Sequence, residues 1–281
     1  MTDLSAFKEK VWEQGKLLYR DLPWRRVRDA YAVWISEVML QQTQVSRVDG
    51  RWQRWIERFP NIEALAAAPL ADVLGEWQGM GYNSRAKRLQ VCAQQVCDEF
   101  GGELPHGTKE LVSLPGIGPA TAAGIRAFAF SEPGVYLETN VRTVFIHELF
   151  PAGNEVDDKQ LVPLVDKACP QAGGDVRGWY YALLDYGAYL KKTVPNPSRR
   201  SKQHTRQSKF EGSHRQKRAF ILRSVLAGPK TARAIAIELN AFEQSESRPE
   251  VHPDEVAAIL AELAAEGMIA CNDNNLWQVA E

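Results

Sequence analysis

The chain has 281 residues, a formal net charge of −1 and a hydrophobic fraction of 44%. This length and composition allow a large core with one or two additional modules. Residues 1–20 hold no apolar run of signal or membrane-spanning length, so we expect neither secretion nor membrane insertion. The four cysteines are scattered along the chain, which favours a reducing compartment and therefore the cytoplasm.

A helix is predicted around residues 31–44, where apolar side chains recur with the spacing of a core-facing stripe: Tyr31, Trp34, Ile35, Val38 and Met39. Glu37, Gln41 and Gln44 follow a helical spacing of their own and are expected to share a different face. One carboxyl group and several amides on a rigid element suit a site that reads and protonates a flat polar group. The alternative is an ordinary solvated helix face.

Residues 114–118, Leu-Pro-Gly-Ile-Gly, predict a tight turn between two helices. Gly116 and Gly118 permit a positive φ and a close approach of backbone N–H groups to a ligand. The next helix opens at residues 119–121, so its positive end faces the turn and can attract a phosphate without a charged side chain. The alternative is a plain helix–helix turn.

These motifs resemble those of the helix-hairpin-helix DNA glycosylase superfamily, and within it the MutY-like adenine glycosylases. The resemblance covers roughly residues 5–190, with matching segments at 22–24, 34–44, 79–86, 114–118, 140–142 and 184–188. It implies an all-α, two-lobed helix-hairpin-helix glycosylase fold over residues 1–192. It also implies double-stranded DNA as the partner, a monomeric protein and a nucleoid location in the cytoplasm.

The resemblance assigns two catalytic carboxyl groups. Glu37 would be the general acid that protonates the departing base, with its pKa raised by desolvation. The family's catalytic aspartate corresponds to Glu138, which precedes a helix expected to begin near Asn140. The positive helix end is expected to keep Glu138 ionised, so that it stabilises a positively charged sugar. The position of a lyase amine corresponds to Ala120, so strand cleavage through a Schiff base is not expected.

The DNA-binding residues implied by the resemblance lie in three places. Gln41 and Gln42 are expected to fill the gap left by a flipped base, and Tyr82 to act as a wedge beside the orphaned base. Contacts to the DNA backbone are expected around the hairpin and the following helix start, from Gly116, Ile117, Gly118, Thr121 and Asn140. A core position is the alternative for Tyr82.

Two features of the family are missing from the sequence. The family usually carries four closely spaced cysteines that hold a [4Fe–4S] cluster, but Cys92, Cys97, Cys169 and Cys271 cannot supply that spacing. We therefore expect no cluster, no other metal and no cofactor, except for a monovalent cation that the hairpin is able to hold. The domain that reads 8-oxoguanine opposite adenine also has no visible counterpart.

A basic segment follows the region of resemblance. Residues 191–218 contain ten Lys or Arg against Glu211, a net +9, which leaves −10 for the remainder. The polar stretch 193–214 is predicted to be a loop that takes the place of the cluster loop and contacts DNA phosphates through Arg199, Arg200, Lys202 and Arg206. A solvated, disordered linker is the alternative.

Residues 215–281 resemble a small winged helix. Helices are predicted over 219–226, from the cap Thr231 through Leu239, and over 256–263, with a β-hairpin from strands 268–271 and 276–279. The third helix is acidic, which makes it a poor reader of the major groove. We expect it to pack within the module or to bind a protein partner.

The sequence therefore predicts a monofunctional DNA glycosylase of base excision repair, acting on mispaired or damaged adenine or another purine. One alternative substrate is a mismatched thymine or uracil, or an alkylated, deaminated or cross-linked base. The other alternative is a DNA-lesion binding protein without catalysis, in which Glu138 marks a lost aspartate.

Overall fold

Helices make up most of the computed structural model, which describes residues 3–150, 153–205 and 208–281. In chain order they are α1 (Ser5–Leu17), α2 (Ala30–Leu40), α3 (Val45–Val48), α4 (Arg51–Arg58), α5 (Ile62–Ala67), α6 (Leu70–Glu76), α7 (Ser84–Phe100), α8 (Thr108–Ser113), α9 (Pro119–Phe128), α10 (Thr139–Leu149), α11 (Asp158–Ala168), α12 (Val176–Thr193), α13 (His214–Leu226), α14 (Ala232–Ser245) and α15 (Pro253–Ala265). Short 3-10 helices span Pro23–Arg25 and Pro197–Arg200, and two antiparallel strands, β1 (Ile269–Cys271) and β2 (Trp277–Val279), form the sheet. Among the described helices, none has the length and apolar character needed to cross a bilayer.

The chain divides into two units, each assembled from two separate segments. Unit 1 comprises Met1–Gln41 and Leu104–Arg206, and unit 2 comprises Gln42–Glu103 and Gln207–Glu281. The predicted all-α, two-lobed fold is confirmed. The division of the chain into three parts at residues 192 and 214 remains a prediction.

The core of unit 1 is built around α12, which packs against α1 and α10. A Cβ on Gly15 would lie 2.9 Å from Cα of Ala182, so glycine permits the close approach of α1 to α12. Asp185 is 2% exposed and receives two hydrogen bonds from Arg25, at 2.7 and 2.8 Å. This charge pair is buried in the core, so Asp185 in the matched segment 184–188 has a structural role.

The helix α2 carries the predicted buried stripe, and all five of its apolar residues are buried. Asp29 caps the helix by accepting a hydrogen bond of 2.8 Å from the backbone N–H of Ala32. The helix ends at Leu40, however, so Gln41 follows it and Gln44 caps α3. The expectation that Glu37, Gln41 and Gln44 share one helix face is therefore wrong.

The C-terminal part of unit 2 has the predicted order of three helices and a β-hairpin. Thr231 caps α14 by accepting a hydrogen bond from the backbone N–H of Ala234, as expected. The helix continues to Ser245 rather than ending at Leu239, because its last turns are anchored in the module. Phe242 stacks on Phe220 at 4.9 Å, and the buried Glu243 pairs with Arg248 at 2.6 Å.

The acidic side chains of α15 face the basic side chains of α13. Glu255 pairs with Lys217 at 2.7 Å, and Arg218 bridges Glu262 and Glu266, both at 2.7 Å. These contacts agree with the packing role expected for the acidic third helix.

The segment after α12 contains more order than a solvated linker would have. Asn196 accepts a hydrogen bond of 3.0 Å from the backbone N–H of Ser198 at the start of the 3-10 helix. Backbone hydrogen bonds then join Val156 to Arg200 at 2.8 Å and to Lys202 at 3.0 Å. Ser198 and Ser201 are buried. Within the described residues 193–205, the disordered-linker alternative is therefore wrong between Asn196 and Lys202.

Candidate active site

Glu37 lies in unit 1 on the face of α2 that meets α9. The hydroxyl of Tyr136 donates a hydrogen bond of 3.0 Å to Oε2 of Glu37. On α9, a Cβ on Gly124 would lie 2.9 Å from Cδ of Glu37, so the carboxyl group occupies the space that glycine leaves open. Sequence reasoning missed both Tyr136 and Gly124, since neither belongs to a motif that it used.

The surroundings of Glu37 favour its neutral form. Desolvation by the enclosing protein raises the pKa of Glu37 to about 8, the Tyr136 hydrogen bond lowers it, and the negative charge of Glu138 raises it. The raised pKa predicted for Glu37 is confirmed in direction and cause. A partly exposed carboxyl group that stays protonated at neutral pH can donate a proton to a bound molecule.

Tyr136 is held in place by its own neighbours. Its backbone N–H donates a hydrogen bond of 3.1 Å to Oη of Tyr180, which in turn donates to the carbonyl of Gly134. The ring of Tyr136 also makes edge contacts with Tyr180 and Phe128 at centroid distances of 5.3 and 5.2 Å. This packing fixes the hydroxyl that contacts Glu37.

Glu138 is the N-cap of α10, which begins at Thr139, one residue before the predicted start near Asn140. Its carboxylate accepts a hydrogen bond of 2.7 Å from the backbone N–H of Asn140. Desolvation nevertheless raises the pKa of Glu138, against the lowering effects of the Asn140 N–H and the charge of Lys191. The helix end predicted to keep Glu138 ionised does lower this pKa, but burial outweighs it and the net shift is upward.

Lys191 is the first residue of the basic segment, but it belongs to this site. The helix α12 places it near Glu138, whose negative charge opposes the lowering of the Lys191 pKa by burial. One helical turn earlier, a Cβ on Gly187 would lie 2.7 Å from the carbonyl carbon of Asn140. Glycine at 187 thus lets α12 approach the start of α10, and the four-residue spacing to Lys191 was the available signal.

The hairpin joins α8 and α9 as predicted. Gly116 has a φ of +80°, which favours glycine, whereas Gly118 has a φ of −85° and does not use the positive φ expected for it. Ile117 is buried, and its N–H donates a hydrogen bond of 3.2 Å to Leu114 within the turn. The phosphate contacts predicted for Ile117, for its neighbouring amides and for the start of α9 remain predictions.

Thr121 and Gln41 are brought together at the start of α9. The side-chain amide of Gln41 donates a hydrogen bond of 3.0 Å to the hydroxyl of the buried Thr121. Thr121 thus orients Gln41 rather than being exposed itself, and the two predicted DNA-binding residues form one local contact.

Two predicted DNA-binding residues of unit 2 have left-handed backbones. Gln42 has a φ of +53° and Tyr82 a φ of +49°, and both side chains are exposed. A left-handed backbone conformation is unfavourable in free energy for any residue other than glycine. Such residues occur preferentially at functional positions. The exposure of Tyr82, at 41%, excludes the alternative that it is a core residue.

Part of the basic segment makes contacts within the protein. Arg199 and Lys202 are exposed, whereas Nε of Arg200 donates a hydrogen bond of 3.0 Å to the carbonyl of Asn154. Arg200 thus also has a structural contact, and its contact with a DNA phosphate remains a prediction. Arg206 lies outside the described residues.

The cysteines do not form a metal site. Cys92 and Cys97 are on α7, Cys169 follows α11 and Cys271 ends β1, and all four are free. Over residues 3–150, 153–205 and 208–281, no three His, Cys, Asp or Glu side chains group as metal ligands. These residues do not fit a four-cysteine cluster, and the absence of a cluster remains a prediction.

Comparison with known proteins places this site in context. Residues 35–169 match the family described as "HhH-GPD superfamily base excision DNA repair protein". An adenine DNA glycosylase of Mus musculus is 40% identical over 153 residues, which are 51% of this chain and 30% of that protein. One from Mycolicibacterium smegmatis is 47% identical over 126 residues, 44% of this chain and 43% of that protein. The chain thus spans less than half the length of these relatives.

Two solved structures share the fold. A thermostable thymine-DNA glycosylase aligns with a TM-score of 0.57 and 25% identity, covering 66% of this chain and 88% of that one. A non-covalent endonuclease III–DNA complex aligns with a TM-score of 0.54 and 20% identity, covering 68% and 86%.

Proposed function

We propose that the chain is a monofunctional DNA glycosylase, because residues 35–169 match the family model of the HhH-GPD superfamily of base excision DNA repair proteins. It hydrolyses the N-glycosidic bond of a flipped-out base in double-stranded DNA, and the base is adenine or another purine. The observation that carries this proposal is the pair Glu37 and Glu138, of which Glu37 has a pKa of about 8 and Glu138 caps a helix N-terminus.

Glu37 supplies the proton that makes the base a better leaving group. Because the Tyr136 hydroxyl donates to Oε2, the carboxyl proton of neutral Glu37 belongs on Oε1. That atom presents the proton to a nitrogen of the base as the glycosidic bond breaks. Tyr136 acts here as a positioning residue, since it holds the carboxyl group without touching the base.

Glu138 stabilises the positive sugar that remains. Its ionised form is favoured by the Asn140 N–H at 2.7 Å and by the charge of Lys191, although burial opposes it. A negative carboxylate below the developing oxocarbenium ion lowers the energy of the transition state. Water then adds to the anomeric carbon of the sugar and releases a proton to solvent, so the reaction is a hydrolysis that consumes no redox partner.

A different base is the second candidate for the substrate. Glutamate extends the carboxylate by one methylene, about 1.5 Å, beyond an aspartate at the same position. This difference favours a pocket that accepts a thymine or uracil mismatch, or an alkylated, deaminated or cross-linked base. A lesion-binding role without chemistry is disfavoured by the contact between Glu37 and Tyr136.

The test is a panel of labelled duplexes, each with one mismatch or lesion, followed by alkali to reveal abasic sites. Alkali-dependent cleavage on at least one duplex is expected, with no cleavage before alkali. Glu37→Gln and Glu138→Gln should each abolish base release while duplex binding remains. Full activity of either variant would contradict its assigned role. The absence of alkali-dependent cleavage on every duplex would favour the binding-only alternative.

A further inference from the structure

Tyr82 is held by a residue from the distant end of the chain, within unit 2. Nη1 of Arg215, in the first turn of α13, donates a hydrogen bond of 2.8 Å to Oη of Tyr82. The guanidinium carbon lies 5.5 Å from the centroid of the Tyr82 ring, within the range of a cation–π contact. Arg215 thus contacts both the hydroxyl and the ring of the exposed tyrosine.

Arg215 is itself fixed on its other side. Its Nη2 donates hydrogen bonds to the carbonyl and the hydroxyl of Ser208, at 2.8 and 3.2 Å. The helix that carries it is anchored by the pairs of Lys217 and Arg218 with α15. A side chain held at three points loses little further freedom when its partner is bound, which makes it a rigid support.

The C-terminal module also meets the helix that follows Tyr82. Nζ of Lys87, on α7, donates to the carbonyl of Gly267, just before β1. α13 packs against α6 on the same side. The contact between Arg215 and Tyr82 is therefore part of a wider contact between residues 42–103 and the C-terminal module, all inside unit 2.

We propose that Arg215 is a positioning residue for DNA recognition. It fixes the ring of Tyr82 in the orientation that inserts between bases beside the extruded nucleotide. The C-terminal module then serves the DNA site as a support for Tyr82, while its acidic third helix packs inward. This inference rests on the proposed function, because insertion beside an extruded nucleotide requires a protein that flips a base out of double-stranded DNA.

The test measures binding without chemistry. The probe is a fluorescent duplex with a tetrahydrofuran abasic analogue, and the control is the same duplex without a lesion. Arg215→Ala and Tyr82→Phe should each weaken binding to the abasic duplex by about tenfold, because a hydrogen bond from a charged donor is lost. The double variant should bind no more weakly than Arg215→Ala, since Arg215→Ala already removes the hydrogen bond that Tyr82→Phe removes.

A matched variant separates positioning from charge. Arg223→Ala removes the same charge from the same helix, and Arg223 is exposed and contacts the ring of Phe220 at 5.4 Å. Its binding should be unchanged. The dependence of affinity on salt should have the same slope in Arg215→Ala as in the natural protein, whereas loss of a phosphate contact would lower it by about 0.9.

Each outcome decides the inference. Unchanged or tighter binding by Arg215→Ala, additive losses in the double variant, or a reduced salt slope would each overturn it. If Arg215→Ala does not fold, Tyr82→Phe alone tests the contact, since it leaves the C-terminal module unaltered. If the natural protein does not prefer the abasic duplex, this inference fails, whereas the proposed function fails only if no duplex of the panel releases a base.

Discussion

Gly124 on α9 and Glu37 on α2 are in such close approach that no side chain fits between them. A Cβ at position 124 would lie 2.9 Å from Cδ of Glu37 and 3.0 Å from Cε2 of Tyr136. Glycine in a helix interior normally costs about 1 kcal/mol relative to alanine. The site thus keeps a residue that its helix disfavours, because the carboxyl group needs the space.

Gly124→Ala should therefore reduce activity far more than stability. The added methyl group displaces the carboxyl group, and misplacement by about 1 Å costs about 100-fold in a positioned site. Single-turnover base release and thermal unfolding measure the two effects. The matched control is Gly75→Ala on α6, where a Cβ meets nothing within 4 Å. It should retain full activity, and equal activity of the two variants would contradict the assigned geometry.

The rate of base release should fall as pH rises through about 8. Glu37 must be protonated to act as the acid, and desolvation raises its pKa to about 8. Tyr136→Phe removes a hydrogen bond that lowers this pKa, so the alkaline limb should move to higher pH while the maximum rate falls. Single-turnover rates between about pH 5 and 10 measure the limb. A limb that does not move would show that Tyr136 leaves the acid unaffected.

Lys191 and Lys192 should differ although they are neighbours with the same charge. Lys191→Met removes a charge that lowers the pKa of Glu138, so that pKa rises further. Because Glu138 acts in its ionised form, activity is lost as pH falls through its pKa, and the acidic limb should move to higher pH. Lys192 is exposed, and Lys192→Met should leave the limb in place. Equal shifts would indicate a general charge effect.

Only part of the basic segment should contribute to DNA affinity. Arg199→Ala and Lys202→Ala remove exposed cations, and each should lower the slope of log affinity against log salt by about 0.9 if it engages one phosphate. Arg218→Ala should leave the slope unchanged, because Arg218 is paired with Glu262 and Glu266. Binding titrations from about 50 to 200 mM salt give the slopes. A reduced slope for Arg218→Ala alone would reverse this assignment.

The purified protein should fold without iron. Its cysteines lie on α7, after α11 and in β1, so they cannot act together as ligands of one cluster. Iron analysis and visible absorbance of the freshly isolated protein test this expectation. Stoichiometric iron with the broad visible band of a cluster would contradict it.

The sequence predicted those parts of the site that local patterns determine. The buried stripe of α2 follows from helical periodicity, and the cap at Glu138 follows from the start of α10. Tyr136 could not be found in this way, because it meets Glu37 across 99 positions of the chain. Lys191 and Arg215 are recognisable in the sequence only as charged residues. Their partners, Glu138 and Tyr82, are brought to them by tertiary packing.

Each unit is assembled from two separate segments, so its parts leave the ribosome at different times during synthesis. Both segments of unit 1, Met1–Gln41 and Leu104–Arg206, have left the ribosome before the second segment of unit 2 begins at Gln207. The contacts between the first segment of unit 2, Gln42–Glu103, and its second segment form only once the second segment is made, which at typical translation rates takes on the order of 10 s. During this interval Arg215 has not yet reached Tyr82. The wedge is therefore the last part of the proposed DNA-reading surface to be completed.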